Sequence, residues 1–363
     1  MDPVDLIRPD IATMDAYTPI YPFDVLAARL GREPDEIIKL DANENPYGPS
    51  PRVREALASL DYVHIYPDPE SRALRDALSD FVGLPSSHLL AGAGADELLD
   101  LIMRLFLRPG DAIVNCPPTF GMYPFDAAIR GAETLDVPRH ADFSLDLPAI
   151  EQAVAQHQPK LLFITSPNNP DGSWVSDADL TRLLELPLMV VLDEAYVEFA
   201  GRARSRIRWV PERENLIVLR TFSKLAGLAG LRVGYGAFPE ALMPHLWKIK
   251  QPYNVSVAAS TAALAALEDL AWLEDKVDRL IRERKRFFRR LDKVPYLRPY
   301  PSESNFVLCQ VLGRDAEGLK LALEREGILI RYYRKPRLRD HVRFTIGKPA
   351  QMDTVIAALQ RLA

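Results

Sequence analysis

"KLLFITSPNNPDGSWVSDADLTRLLELPLMVVLDEAYVEF" (160–199) opens on an apolar run, KLLFITS, and breaks at SPNNPDG. It then continues through the helix-sized SDADLTRLLEL and reaches a second apolar run, LMVVLD. Short apolar runs bounded by Pro, Gly and Asn read as buried strands, and an amphipathic stretch between two of them predicts a parallel pair joined by a helix. The same alternation extends in both directions. HLLAG (88–92), DAIVN (111–115), NLIVLRT (215–221) and RVGYGAF (232–238) are further strand candidates, with ADELLDLIMRLF and YPFDAAIRG as helices between them. The class is α/β, with a mostly parallel sheet covered by helices.

Beyond residue 240 the pattern changes. AALAALEDLAWLEDKVDRLIRERKRFFRRLDKV reads as one long amphipathic helix with opposite charges at i,i+4 spacing. SNFVLCQV, GLKLALEREG, ILIRYYR, HVRFTIG and MDTVIAALQRL then give a β-α-β-β-α order, compatible with a smaller second domain on an antiparallel or mixed sheet. A domain edge near 240–260 follows. The 363 residues suit two domains or one large unit with an appendage.

Composition narrows the function. A net charge of −5, with 26% charged and 48% hydrophobic residues, offers no basic field for nucleic acid. Cys116 and Cys309 sit in apolar, strand-like sequence and read as two buried thiols of a reducing compartment. The six histidines show no ligand spacing, so no catalytic metal is expected. The acidic, proline-broken start lacks the layout of a signal peptide and no run is long enough to span a membrane, so a cytoplasmic protein is expected.

In open α/β sheets ligands bind beyond the carboxyl ends of the strands. Here those ends carry AGADE, TFGMY, PNNPDG, DEAY and TFSK. Each alone reads as a turn, a cap or a surface lysine. Together they supply an anion cradle, an aromatic plate, an amide, a carboxylate and an amine, which one ligand explains: pyridoxal 5′-phosphate. Lys224 would condense with the aldehyde and then move protons, and Asp193 would keep the ring nitrogen protonated. Asn169 and Tyr196 would donate to the ring oxygen while Phe120 stacks on the ring. The N–H groups of Ala95 and Asp96 at a helix start, the Thr221 and Ser223 hydroxyls and the Arg232 guanidinium would hold the phosphate. AGAGADE as a dinucleotide loop is the contrary reading, but Glu97 stands where its third glycine belongs.

These residues resemble the fold-type I pyridoxal-phosphate aminotransferases, and within them the histidinol-phosphate aminotransferase family. LDANENPYGPSP (40–51), YPDPES (66–71), GADE (94–97), PPTFGMY (117–123), SPNNPDG (166–172), DEAYVEF (193–199), TFSKLAGLAGLRVGYG (221–236) and VRFTIGKP (342–349) follow that family's order from about residue 17 to the end. The resemblance implies a large domain (46–250) on a seven-stranded, mostly parallel sheet, a smaller α+β domain (251–363), and an N-terminal arm (1–45) packed on the latter. It implies a homodimer in which Tyr66 reaches the partner's cofactor phosphate. Arg343, with Arg331 as a second arginine, would hold the substrate's anionic group, and Asn43 would face substrate. Histidinol phosphate and glutamate (or 2-oxoglutarate) are the implied substrates, in histidine biosynthesis. One arginine pair can bind a phosphate or a carboxylate bidentately, a physical reason for a dual substrate. Phe120 replaces the family's frequent tyrosine and NPDG its commoner NPTG. The arm AYTPIYPFD lacks the usual proline-glycine pattern, leaving Tyr17 and Tyr21 as alternatives for substrate contact. An aromatic-amino-acid aminotransferase, a threonine-phosphate decarboxylase and a non-catalytic pyridoxal-phosphate protein remain the competing readings.

Overall fold

The computed structural model describes residues 1–14 and 23–363. Twelve strands form two sheets: β1 (Ile38–Leu40), β2 (Leu89–Gly92), β3 (Ala112–Asn115), β4 (Glu133–Asp136), β5 (Leu161–Thr165), β6 (Met189–Asp193), β7 (Leu216–Thr221), β8 (Gly234–Ala237), β9 (Leu297–Pro299), β10 (Phe306–Val311), β11 (Ile328–Tyr332) and β12 (His341–Thr345). The seven-stranded sheet runs β2-β8-β7-β6-β5-β3-β4, and only β8 is antiparallel to its neighbours. The five-stranded sheet runs β1-β11-β12-β10-β9 and is mixed, because β1 joins its edge parallel to β11. The arm therefore enters the second sheet as a strand.

Every residue of β2, β3, β5, β7 and β8 is buried, as expected for strands covered on both faces. Alternate residues divide between two cores. Leu162, Ile164, Val190, Leu192, Leu216 and Val218 pack with the helices Arg72–Val82 and Val257–Leu267. Leu161, Phe163, Val191, Ile217 and Leu219 pack on the other face with the helix Ala95–Phe106.

The long helix expected over residues 262–294 is parts of two helices, Val257–Leu267 and Leu270–Leu291. The first is rich in alanine and buried on several sides, against the helices Pro51–Ala58 and Arg72–Val82. The second is amphipathic, with Leu273, Val277, Leu280, Phe287 and Leu291 inward. One straight helix could not satisfy both environments, and the chain bends at Glu268–Asp269.

Candidate active site

Strand parity assembles the site. Thr165, Asp193 and Thr221 are the last residues of β5, β6 and β7, and each lies two positions after Phe163, Val191 or Leu219, so all three face the same side of the sheet. Gly234 and Gly92 continue that row on β8 and β2. Their missing side chains make room: a Cβ at Gly234 would lie 2.6 Å from the Ala95 nitrogen. The Gly94–Ala95 turn therefore approaches the sheet closely, and one pocket forms at the strand ends.

That pocket is lined by every expected cofactor residue except Tyr66: Ala95, Asp96, Phe120, Asn169, Asp193, Tyr196, Thr221, Ser223, Lys224 and Arg232. Asp193 is buried and accepts from the Tyr123 hydroxyl (2.7 Å) and the Ala195 N–H (3.0 Å). Burial pushes its carboxyl up to about 6; the bond from Tyr123 pulls the other way, Asp96 adds to the rise, and Lys224 opposes it. Lys224 is partly buried and its Nζ donates to the Ala42 carbonyl at 3.1 Å. Burial and then the Arg343 charge bring its amine down to about 8. An amine near neutrality and a buried carboxylate without an ion-pair partner among the described residues thus share one cavity.

The anion end is built from a helix start. Gly94 precedes the helix Ala95–Phe106 with φ 82° and ψ 170°, a conformation essentially restricted to glycine, and points the free N–H groups of the first turn into the pocket. Arg232 lies directly over it, where a Cβ on Gly94 would sit 2.6 Å from an Arg232 Nη. Arg232 itself is held left-handed (φ 54°) and donates to Asp96 Oδ2 at 2.8 Å. Thr221 Oγ1 caps the Ser223 N–H at 3.0 Å and accompanies the Ser223 hydroxyl at 2.9 Å. Backbone donors, two hydroxyls and a guanidinium thus converge where a dianion would sit.

At the opposite end, Tyr196 OH accepts from Asn43 Nδ2 (3.0 Å), which leaves the phenol's own proton for the pocket. Burial pushes that phenol up to about 12, so it stays protonated. Asn169 Oδ1 accepts from Arg343 Nη1 (2.5 Å), which orients its Nδ2 donors elsewhere. Arg343 is buried, its Nη2 donates to the Asp41 carbonyl at 2.8 Å, and its Nε has no partner. Arg331 stands directly across from it in the β11–β12 register, so both arginines share a face, with the Tyr333 ring 5.6 Å and 5.7 Å from their guanidinium carbons.

The remaining expected residues lie outside the cofactor pocket or outside the described residues. Asn43 does not line the cofactor pocket: it is buried, left-handed (φ 55°), and committed through its amide to Tyr196 and Thr345. Its influence passes through Tyr196. Tyr66 is 78% exposed and stacks on Tyr253 (centroids 4.6 Å apart), outside this chain's pocket. Tyr17 and Tyr21 fall outside the described residues. Conversely, Tyr123 and Thr165 were not singled out from sequence. Tyr123 lies in the first turn of the helix Met122–Ile129, directly after the strand-end segment that carries Phe120, and that position is the available signal.

The residues present fit pyridoxal 5′-phosphate. A carboxylate raised by burial suits a protonated ring nitrogen, and a Cβ-free cradle under a guanidinium suits the phosphate. The family model for aminotransferase class I and II matches residues 35–359. A chloroplastic histidinol-phosphate aminotransferase of Arabidopsis thaliana is 56% identical over 356 residues, covering 98% of this chain and 85% of its own. The histidinol-phosphate aminotransferase of Roseiflexus castenholzii is 50% identical over 99% of this chain and 98% of its own. Among solved structures, the histidinol-phosphate aminotransferase of Sinorhizobium meliloti in complex with pyridoxal-5′-phosphate superposes with a TM-score of 0.89 at 30% identity, covering 98% of this chain and 97% of that one. The chain belongs to the class I and II aminotransferases and, within them, to the histidinol-phosphate aminotransferase family. Among the described residues no helix is long and apolar enough to cross a membrane.

Proposed function

We propose that this protein transfers an amino group between histidinol phosphate and 2-oxoglutarate, as a step of histidine biosynthesis. One observation carries the reading: Arg343, with an unpartnered buried Nε, touches Asn169 of the cofactor pocket and shares its sheet face with Arg331. When bound, pyridoxal 5′-phosphate supplies an aldehyde that condenses with amines and a ring that takes up the electron pair released at the substrate carbon. Lys224, with its amine lowered to about 8, would hold that aldehyde as a nucleophile and, once free, would move the proton. Asp193 would keep a proton on the ring nitrogen. Tyr196 and Asn169 would donate to the ring oxygen, and Phe120 would stack on the ring. Ala95, Asp96, Thr221, Ser223 and Arg232 would hold the phosphate. Arg343 and Arg331 bind either anion, because a guanidinium fork matches carboxylate and phosphate alike.

The test compares amino donors in single turnovers followed by the cofactor's visible absorbance. Histidinol phosphate should convert the bound cofactor faster than phenylalanine or threonine phosphate. Fastest conversion by phenylalanine, or carbon dioxide released from threonine phosphate, would replace the reading with one of its rivals. The exposed Tyr62, Val63, Ile65 and Tyr66 support a homodimer that covers this patch and lends Tyr66 to the partner's phosphate. Mixing Tyr66→Phe with Lys224→Ala should restore activity through one intact site per heterodimer; a mixture as inactive as its parents would reject the shared site. The two buried, unpaired cysteines support a cytoplasmic location, which cell fractionation would check. The packing of the helix Val257–Leu267 with Pro51–Ala58 and Arg72–Val82 supports counting it with the larger domain, with the domain edge close to Glu268–Asp269.

A further inference from the structure

Behind Asp193 runs a chain of hydroxyls whose far end is fixed. Asn168 Nδ2 donates to the Pro118 carbonyl (3.0 Å) and to Asp171 Oδ1 (2.5 Å). A carbonyl oxygen can only accept, so the amide cannot be reversed and Asn168 Oδ1 must itself be an acceptor. From it the chain passes to Thr119 Oγ1 at 2.8 Å, Thr165 Oγ1 at 3.2 Å, the Tyr123 hydroxyl at 2.7 Å and Asp193 Oδ2 at 2.7 Å.

These four links contain three hydroxyl protons. With Asp193 ionised both ends only accept, so Thr119 must donate to Asn168 and Tyr123 to Asp193. Thr165 can then fill just one of the two middle links. The short contact to Tyr123 takes its proton, and the 3.2 Å contact between the threonine oxygens is left without one. Adding a single proton to Asp193 changes the count: Asp193 donates to Tyr123, Tyr123 to Thr165, Thr165 to Thr119 and Thr119 to Asn168, and every link is filled.

We propose that this chain sets the charge of Asp193. Tyr123 is the positioning residue that keeps the carboxylate ionised for a cationic ring nitrogen, and Thr119 opposes it by leaving the ionised chain one proton short. The other groups near the chain are Asp96, Lys224 and Tyr196 on the pocket side, Asp126 on the Tyr123 helix with Asp100 and Arg130 near it, and Asp171 with Arg139 at the Asn168 end. None of them changes in the variants below. The functional consequence rests on the reading of Asp193 as the partner of the ring nitrogen; the proton count does not.

The experiment is an infrared titration of the Asp193 carboxyl in the cofactor-free protein, with Asp193→Asn as the blank. Tyr123→Phe removes the donor to the carboxylate and should move the midpoint up by about one pH unit, a tenfold change. Thr119→Val lets Thr165 serve Tyr123 without conflict and leaves the neutral chain short of an acceptor, so its midpoint should move down. Thr165→Val should also move it down. Shifts of one common sign across the three variants, or no shift in Thr119→Val, overturn the proposal, and the threonine variants decide it even if Tyr123→Phe does not fold. The same variants are then assayed for cofactor dissociation: Tyr123→Phe should loosen the cofactor about tenfold. Opposed midpoint shifts with unchanged cofactor affinity would leave the chain standing and refute the role given to Asp193.

Discussion

Gly94→Ala separates two contributions that the phosphate cradle combines. The first is conformational. At φ 82° and ψ 170° only glycine is comfortable, so an alanine there stores about 1–3 kcal/mol of strain with or without ligand. The second is steric: the new methyl would lie 2.6 Å from one Arg232 Nη and 3.2 Å from its Cζ, so the guanidinium must leave the position proposed for holding the phosphate. A hydrogen bond to a charged group is worth about 1.5–3 kcal/mol, which at ~1.4 kcal/mol per decade weakens cofactor binding roughly 10- to 150-fold. Denaturant unfolding of the cofactor-free protein reads the strain alone, while equilibrium titration with pyridoxal 5′-phosphate, followed by absorbance, reads the displaced arginine. Gly110→Ala is the control, since Gly110 has φ 89° but a Cβ there meets nothing within 4 Å. It should lose stability and keep its affinity. Cofactor affinity in Gly94→Ala within about threefold of the parent would refute the placement of Arg232, since the expected minimum is about tenfold.

Arg343→Ala should lower kcat/KM for histidinol phosphate and for glutamate alike, by about 100-fold if two charged hydrogen bonds are lost; undiminished glutamate turnover would remove the shared-anion idea. If Lys224 is the reacting amine, as proposed, capture of added cofactor by the cofactor-free protein should accelerate with rising pH through about 8, because burial has lowered that amine from 10.5. A stopped-flow profile centred near the ordinary lysine value would contradict that environment. The same shift has a stability consequence: between about 8 and 10.5 the unfolded chain binds the extra proton at Lys224, so this group adds stability as pH rises through that window and adds none further above it. Lys224→Met in the cofactor-free state should flatten that rise in thermal unfolding. Asn43→Ala should lower stability by about 1–2 kcal/mol and weaken both half-reactions together, since it unlinks Tyr196 from Thr345; a loss confined to one substrate would show direct substrate contact instead.

What sequence reveals here follows from how local the cause is. The parallel strands announce themselves because burial on both faces forces continuous apolar runs such as LLFIT and MVVLD. β4, with an exposed edge pattern, and β1, three residues borrowed by another sheet, carry no such run and are invisible until the partners are placed. The cofactor pocket is legible because each residue stands directly after a strand. Tyr123 is not, because its bond to Asp193 joins residues 70 positions apart, a long-range fact. Asn43, a polar residue in the arm motif, reads as a substrate contact, and packing adds what sequence does not show, the bonds of its amide to Tyr196 and Thr345. The break at Glu268–Asp269 was missed because alanine suits an all-round buried helix and an amphipathic one equally well.

The arm does more than close a sheet edge, because three consecutive residues after β1 each touch a different reacting group. The Asp41 carbonyl takes Arg343, the Ala42 carbonyl takes Lys224, and the Asn43 side chain takes Tyr196 and Thr345. Two residues further on, Asn45 Nδ2 donates to the carbonyl of Leu225, next to the lysine, at 2.9 Å. One short backbone segment thus accepts from both the Arg343 guanidinium and the Lys224 amine. β1 pairs with β11, which carries Arg331, so that segment is continuous with a strand of the second sheet. This gives a physical reason for an arm strand to be spliced into the second sheet: residues 41–43 tie Arg343 of that sheet to Lys224, which follows β7 of the first.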